Sequence, residues 1–106
     1  MNFFKNKNIL ITGASNGLGS LMSKELSKEG SNLILVSRSL DKLKLTLRNC
    51  TNKKKHKIVK ADFQDTESIA NMTQLILSEY DKLDIIIHVA GGGLGIKNYL
   101  PTQEEY

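Results

Sequence analysis

Asn8-Ile9-Leu10-Ile11-Thr12-Gly13-Ala14-Ser15-Asn16-Gly17-Leu18-Gly19 carries the clearest architectural signal in this chain. Residues 9–11 form a short apolar run rich in β-branched side chains, suited to a strand buried on both faces. Glycines follow at positions 13, 17 and 19, and a helical pattern then places Leu18, Leu21, Met22 and Leu26 on one face. Strand, glycine turn and helix N-terminus together make an anion site, because the first helical N–H groups lack intrahelical partners and sit at the positive end of the macrodipole. Gly13 is expected to permit the turn off the strand, Gly17 to let a phosphate approach bare backbone, and Gly19 to let the helix pack close to the sheet. An ordinary glycine-rich turn without a ligand is the alternative.

Outward from this stretch the chain alternates strands and helices. Strands are expected at 8–12, 32–37, 57–61 and 83–89, and helices at 18–29, from 40 onward, and from 66 onward. Gly30 is the expected stop of the first helix. Ser39 caps the second, which repeats Leu40, Leu43 and Leu47, and Asp65 or Thr66 caps the third, which carries Ile69, Met72, Ile76 and Tyr80 on one face. This alternation requires parallel strands joined by right-handed crossovers, with helices one and two on one face and helix three on the other. The expectation is an α/β, Rossmann-type parallel sheet of order 3-2-1-4, with a dinucleotide across the carboxyl ends of strands one and four.

Residues 1–106 are one domain at most, with 40% hydrophobic and 25% charged residues, as in a soluble globular protein. The single cysteine, Cys50, excludes an internal disulfide and fits a reducing compartment. No leader-like or membrane-length apolar run occurs, so a cytoplasmic protein without membrane contact is expected. The net charge of +4 owes much to Lys53-Lys54-Lys55-His56-Lys57. No aromatic residues interleave these lysines, so the run is read as a solvated loop entering a strand, and no nucleic-acid partner is expected.

The loop from Thr12 to Gly19, spaced G-x-x-x-G-x-G, resembles the cofactor loop of the short-chain dehydrogenase/reductase family. The resemblance extends over nearly the whole chain, to the family's N-terminal, cofactor-binding half. It implies that Gly13, Ser15, Asn16, Gly17, Leu18 and Gly19 hold a nicotinamide dinucleotide. Where an acidic residue would accept from the adenosine ribose and repel a 2′-phosphate, this chain has Ser37 and Arg38. An Arg there implies NADP(H) rather than NAD(H), although Asn16 stands where NADP-preferring members often carry a cation. A solvent-facing turn is the alternative role for Arg38. Asp62 and Phe63 resemble the segment that holds the adenine; Asp62 could equally start the next turn. Ala90 and Gly91 match residues that pass beside the cofactor ribose. His88-Val89 replaces the family's Asn pair, and His88 is read as a buried imidazole with a local hydrogen-bond partner.

The family's chemistry uses a Tyr-x-x-x-Lys pair, which this sequence does not contain: Tyr80 is followed four residues on by Asp84, and Tyr99 by Gln103. Thr102 to Glu105 reads as a capping box opening a helix just before the chain stops, so a truncated fold is expected. Half of the second sheet face would be uncovered, with residues 85–87 on an exposed edge, which points to self-association as a homo-oligomer. Two functions are therefore expected as alternatives. One is the NADP(H)-binding part of a short-chain oxidoreductase acting on a small alcohol or carbonyl substrate, inactive by itself. The other is a noncatalytic nucleotide-binding module or decayed remnant.

Overall fold

The computed structural model describes residues 3–89. Four strands, β1 (Asn8–Thr12), β2 (Asn32–Ser37), β3 (Lys57–Lys60) and β4 (Ile85–His88), alternate with three helices, α1 (Gly17–Lys28), α2 (Leu40–Arg48) and α3 (Thr66–Glu79). The sheet order is β3-β2-β1-β4 and every pairing is parallel. The expected fold class, a partial Rossmann-type sheet, is the one observed. β3 and β4 are shorter than expected, ending at Lys60 and beginning at Ile85. In place of a longer β4, the backbone N–H of Asn8 donates to the Asp84 carboxylate at 2.8 Å, which closes the lower end of the β1–β4 pair.

β1 and β2 are central, and four residues of each are buried. Their alternate side chains feed two cores. Ile9, Ile11, Leu33 and Leu35 pack with Leu26, Leu43 and Cys50, on the face covered by α1 and α2. Leu10, Ile34, Val36 and Val59 pack with Met72 and Ile76 of α3. Cys50 lies in the first core, where burial pushes its thiol up from its ordinary range.

Ser39 caps α2 by accepting from the Lys42 N–H at 3.3 Å, and Asp65 caps α3 by accepting from the Glu67 N–H at 3.0 Å. Gly30, at φ +85°, follows the last turn of α1 as expected. α3 buries the expected face: Met72 and Ile76 fully, with Ile69 and Tyr80 packed beside them. α1 does not. Its buried residues are Gly19, Ser23, Leu26 and Ser27, whereas Leu18 and Leu21 are more than half exposed. The small residues let the helix axis approach the sheet too closely for a leucine face. In α2, Thr46 joins Leu43 in the core and Leu40 is exposed.

The basic run is a surface turn entering β3, as expected, and it is also anchored: Lys53–Lys55 forms a 3-10 turn, Lys55 Nζ donates to the Gly30 carbonyl at 2.8 Å, and Lys57 pairs with Glu79 at 2.7 Å. The expected exposed edge at residues 85–87 is corrected in part. Of the β4 isoleucines only Ile86 is exposed; Ile85 and Ile87 point to the α1–α2 side and are partly buried against that core. Ile86 lines a shallow apolar groove with Leu10, Met72, Leu77 and Leu83.

Candidate functional site: a cleft over the carboxyl ends of the strands

The glycine loop is shaped by contacts that exclude side chains. Gly13 has φ +68°, and a Cβ on it would meet the Val89 carbonyl. A Cβ on Gly19 would run into the Gly13 carbonyl and come within 3.1 Å of Ala14 Cα. Gly17 differs: its φ is +38°, but an added Cβ would meet nothing within 4 Å. The loop backbone is pinned from two sides. The Ala14 N–H donates to the Val36 carbonyl at 3.1 Å, and Thr46 Oγ1 donates to the Ala14 carbonyl at 3.1 Å. Of the three α-helices, α1 is the one whose start has no side-chain cap, since the Asn16 side chain makes no capping bond.

Beside this loop lies a cleft of about 510 Å³, at the carboxyl ends of β1, β2, β3 and β4. The structure brings together here Gly13, Ser15, Asn16, Ser37, Arg38, Asp62 and Phe63 of the expected site. Gly17, Leu18 and Gly19 do not line it: Leu18 points away, and Gly19 acts by packing. Ala90 and Gly91 lie outside the described residues. Ser37 Oγ accepts from the Ser39 N–H at 3.2 Å, bracing the turn that carries the exposed Arg38. Asp62 Oδ1 accepts from the Gln64 N–H at 2.9 Å, so Asp62 does start the turn toward α3 while also facing the cleft.

Sequence reading missed several cleft residues: Thr12, Ser39, Lys42, Gln64 and, as part of the cleft, His88. His88 is exposed rather than buried. Its Nδ1 lies 2.6 Å from Thr12 Oγ1, and its ring stacks on Phe63 with centroids 6.0 Å apart and planes 12° apart. With the Val89 N–H donating to the Thr12 carbonyl at 3.2 Å, the Thr12 contacts tie the carboxyl ends of β1 and β4 together. Lys42 was legible in principle. It is the third residue of α2, and helical side chains lean toward the N-terminus, here toward the cleft.

Among the described residues no group of three His, Cys, Asp or Glu could hold a metal ion, and no helix is long and apolar enough to cross a membrane. The arrangement presents backbone N–H groups, hydroxyls and two cations to whatever fills the cleft, with one carboxylate already engaged in a turn.

The family model for short chain dehydrogenases matches residues 7–105. An uncharacterised oxidoreductase of Staphylococcus epidermidis is 30% identical over 88% of this chain and 40% of its own length. An NADPH-dependent pterin aldehyde reductase of Arabidopsis thaliana is 33% identical over 80% of this chain and 35% of its own length. Among solved structures, a 3-ketoacyl-(acyl-carrier-protein) reductase from Brucella melitensis complexed with NADH superposes with a TM-score of 0.69 at 26% identity, over 78% of this chain and 34% of that one. The chain thus spans about two-fifths or less of the length of these relatives. With the loop, the sheet order and the switch-point cleft in place, this chain belongs to the short-chain dehydrogenase family of oxidoreductases.

Proposed function

We propose that this chain supplies the NADP(H)-binding part of a short-chain oxidoreductase that transfers hydride between the nicotinamide cofactor and a small alcohol or carbonyl substrate. The observation that carries the reading is the cleft itself, which joins the glycine loop, the Ser37-Arg38 turn and the Asp62-Phe63 turn at the β1–β4 switch point. The residues fit such a cofactor. Gly17 leaves open space at an uncapped helix N-terminus, where backbone N–H groups attract a pyrophosphate. Arg38 is placed to meet a 2′-phosphate, and Asp62 and Phe63 to border the adenosine. Ala90 and Gly91, beyond the described residues, would complete the ribose side. When bound, the cofactor would supply or accept the hydride; this chain's residues would bind and orient it.

Among the described residues none is assigned to proton transfer. Tyr80 packs under α3, where burial raises its phenol above the ordinary range, and the sequence carries no Tyr-x-x-x-Lys pair. The second reading is a noncatalytic nucleotide-binding module, and an assay of NADPH oxidation with a carbonyl substrate, made on a full-length protein that carries this chain, separates the two. Fluorescence titration with NADPH and NADH tests the binding claim. NADPH should bind more tightly, and Arg38→Ala should remove roughly 1.5–3 kcal/mol of that preference, the worth of a charge-assisted hydrogen bond. Equal wild-type affinities would overturn the assignment to NADP(H).

A further inference from the structure

We infer that Lys42 is a second determinant of nucleotide choice, forming with Arg38 a two-cation seat for a phosphomonoester on the adenosine ribose. The inference rests on the NADP(H) reading above. A phosphomonoester carries a charge of about −1.5 to −2 at neutral pH, so a single guanidinium leaves much of it unmatched. Of the lysines and arginines among the described residues, Arg38 and Lys42 are the two that line the cleft.

Their spacing follows from the fold. Arg38 leaves the end of β2, and Ser39 then caps α2 through the Lys42 N–H. Lys42 is thereby fixed as the third helical residue, with its side chain leaning back over the cap toward Arg38's side of the cleft. Both side chains are exposed, and neither makes an ion pair among the described residues. By contrast, Lys57 and Lys82 at the opposite ends of the strands are paired with Glu79 and Asp84. The carboxylate that shares the cleft, Asp62, receives the Gln64 N–H within its own turn and so has part of its charge engaged. Arg38 offers a planar fork and Lys42 a point charge, a complementary pair for three phosphate oxygens.

The test uses adenosine 2′,5′-bisphosphate and adenosine 5′-monophosphate as probes, titrated into the wild-type protein and into Lys42→Ala, Lys42→Arg and Arg38→Ala. Wild type should favour the bisphosphate. Lys42→Ala should weaken the bisphosphate about 5- to 10-fold, leave the monophosphate within about 2-fold, and flatten the salt dependence of bisphosphate binding. Lys42→Arg should restore most of the loss. Equal weakening of both probes by Lys42→Ala would make Lys42 a general support of the cleft and overturn the inference. So would an unchanged preference in Lys42→Ala where Arg38→Ala abolishes it, a result that leaves the NADP(H) reading standing. Equal wild-type binding of the two probes would remove that reading and this one together.

Discussion

Helices α1 and α3 cover opposite faces of the same sheet, and they reach it by different means. α3 is the ordinary amphipathic solution: Asp65 caps it, and Met72 and Ile76 fill the space between helix and sheet with hydrocarbon. α1 brings Gly19, Ser23 and Ser27 to the same task, with Leu26 as its one large buried side chain. Its buried hydroxyls are satisfied within the helix, Ser23 Oγ donating to the Gly19 carbonyl and Ser27 Oγ to the Lys24 carbonyl, each at 2.7 Å. α1 forgoes apolar burial and a capping side chain; in return its N-terminus is held tight against the β1 turn with its first N–H groups open. α3 therefore contributes mainly apolar burial, whereas α1 leaves its N-terminus free for the ligand proposed above.

The largest expected effects break that distinction at the glycines. Gly19→Val places a side chain against the Gly13 carbonyl and Ala14 Cα, which are backbone atoms that cannot step aside. It should destabilise the protein by about 3 kcal/mol or more, at the upper end of overpacking costs, and denaturant melts would show it. A Cβ on Gly17 meets no atom within 4 Å, so the main cost of Gly17→Val is a side chain at φ +38°, about 1–2 kcal/mol. It should nevertheless abolish nucleotide binding, with circular dichroism nearly unchanged. Retained NADPH binding in Gly17→Val would mean that the loop is only a turn.

A smaller effect contrasts the two apolar faces. Met72→Ala in α3 should cost about 2–5 kcal/mol, the range for emptying a buried site. Leu21→Ala in α1, at a residue 55% exposed, should shift stability by no more than about 0.5 kcal/mol. Urea midpoints of the two variants measure the contrast directly. Comparable losses would show that α1 uses its leucines after all.

The same contrast explains what was legible in the sequence. Order and direction of the strands follow from alternation of apolar runs with helical ones, and the structure has them as expected, with α1 and α2 on one face and α3 on the other. The α3 face was legible because hydrophobic period and burial coincide there. The α1 face was not, because three small residues carry no hydrophobic signal, and the leucines that do carry one are turned outward. Arg38, Ser37 and Asp62 were found through motif position, and the structure gathers them around one cleft. Lys42 and His88 reach that cleft through a helix cap and a cross-strand contact with Thr12, relations between residues far apart in sequence or set by local geometry that composition does not register. The anchors of the lysine run, the Gly30 carbonyl and Glu79, were not legible for a related reason, since they are tertiary neighbours.

The smallest expected effect sits where α1 is tied to the outer part of the sheet. Ser27 Oγ accepts from the Thr51 N–H at 2.9 Å; the Thr51 carbonyl lies 2.7 Å from His56 Nε2; and His56 Nδ1 lies 3.1 Å from the Leu33 N. A backbone N–H can only donate, so Nδ1 is the bare nitrogen and the ring proton sits on Nε2, donated to Thr51. Protonation at Nδ1 would set two donors face to face. Burial holds His56 below its ordinary 6.5, with Lys55 adding to the lowering and the Thr51 carbonyl opposing it. Because the folded value lies below the unfolded one, the unfolded chain takes up the proton first. This contribution to stability is therefore complete above about pH 6.5 and declines as pH falls from there toward the folded value. Asp84 acts in a separate window. The Asn8 N–H holds its carboxyl below 3.8, helped by Lys82, so its contribution is present above that pH and is lost as pH falls through the lowered value. Urea midpoints followed from pH 8 downward should show a shallow decline below about 6.5, well before the acid loss, and His56→Gln should remove the first while keeping the second. A wild-type midpoint flat from pH 8 to pH 5 would show that the Ser27–Thr51–His56–Leu33 chain does not discriminate against the imidazolium.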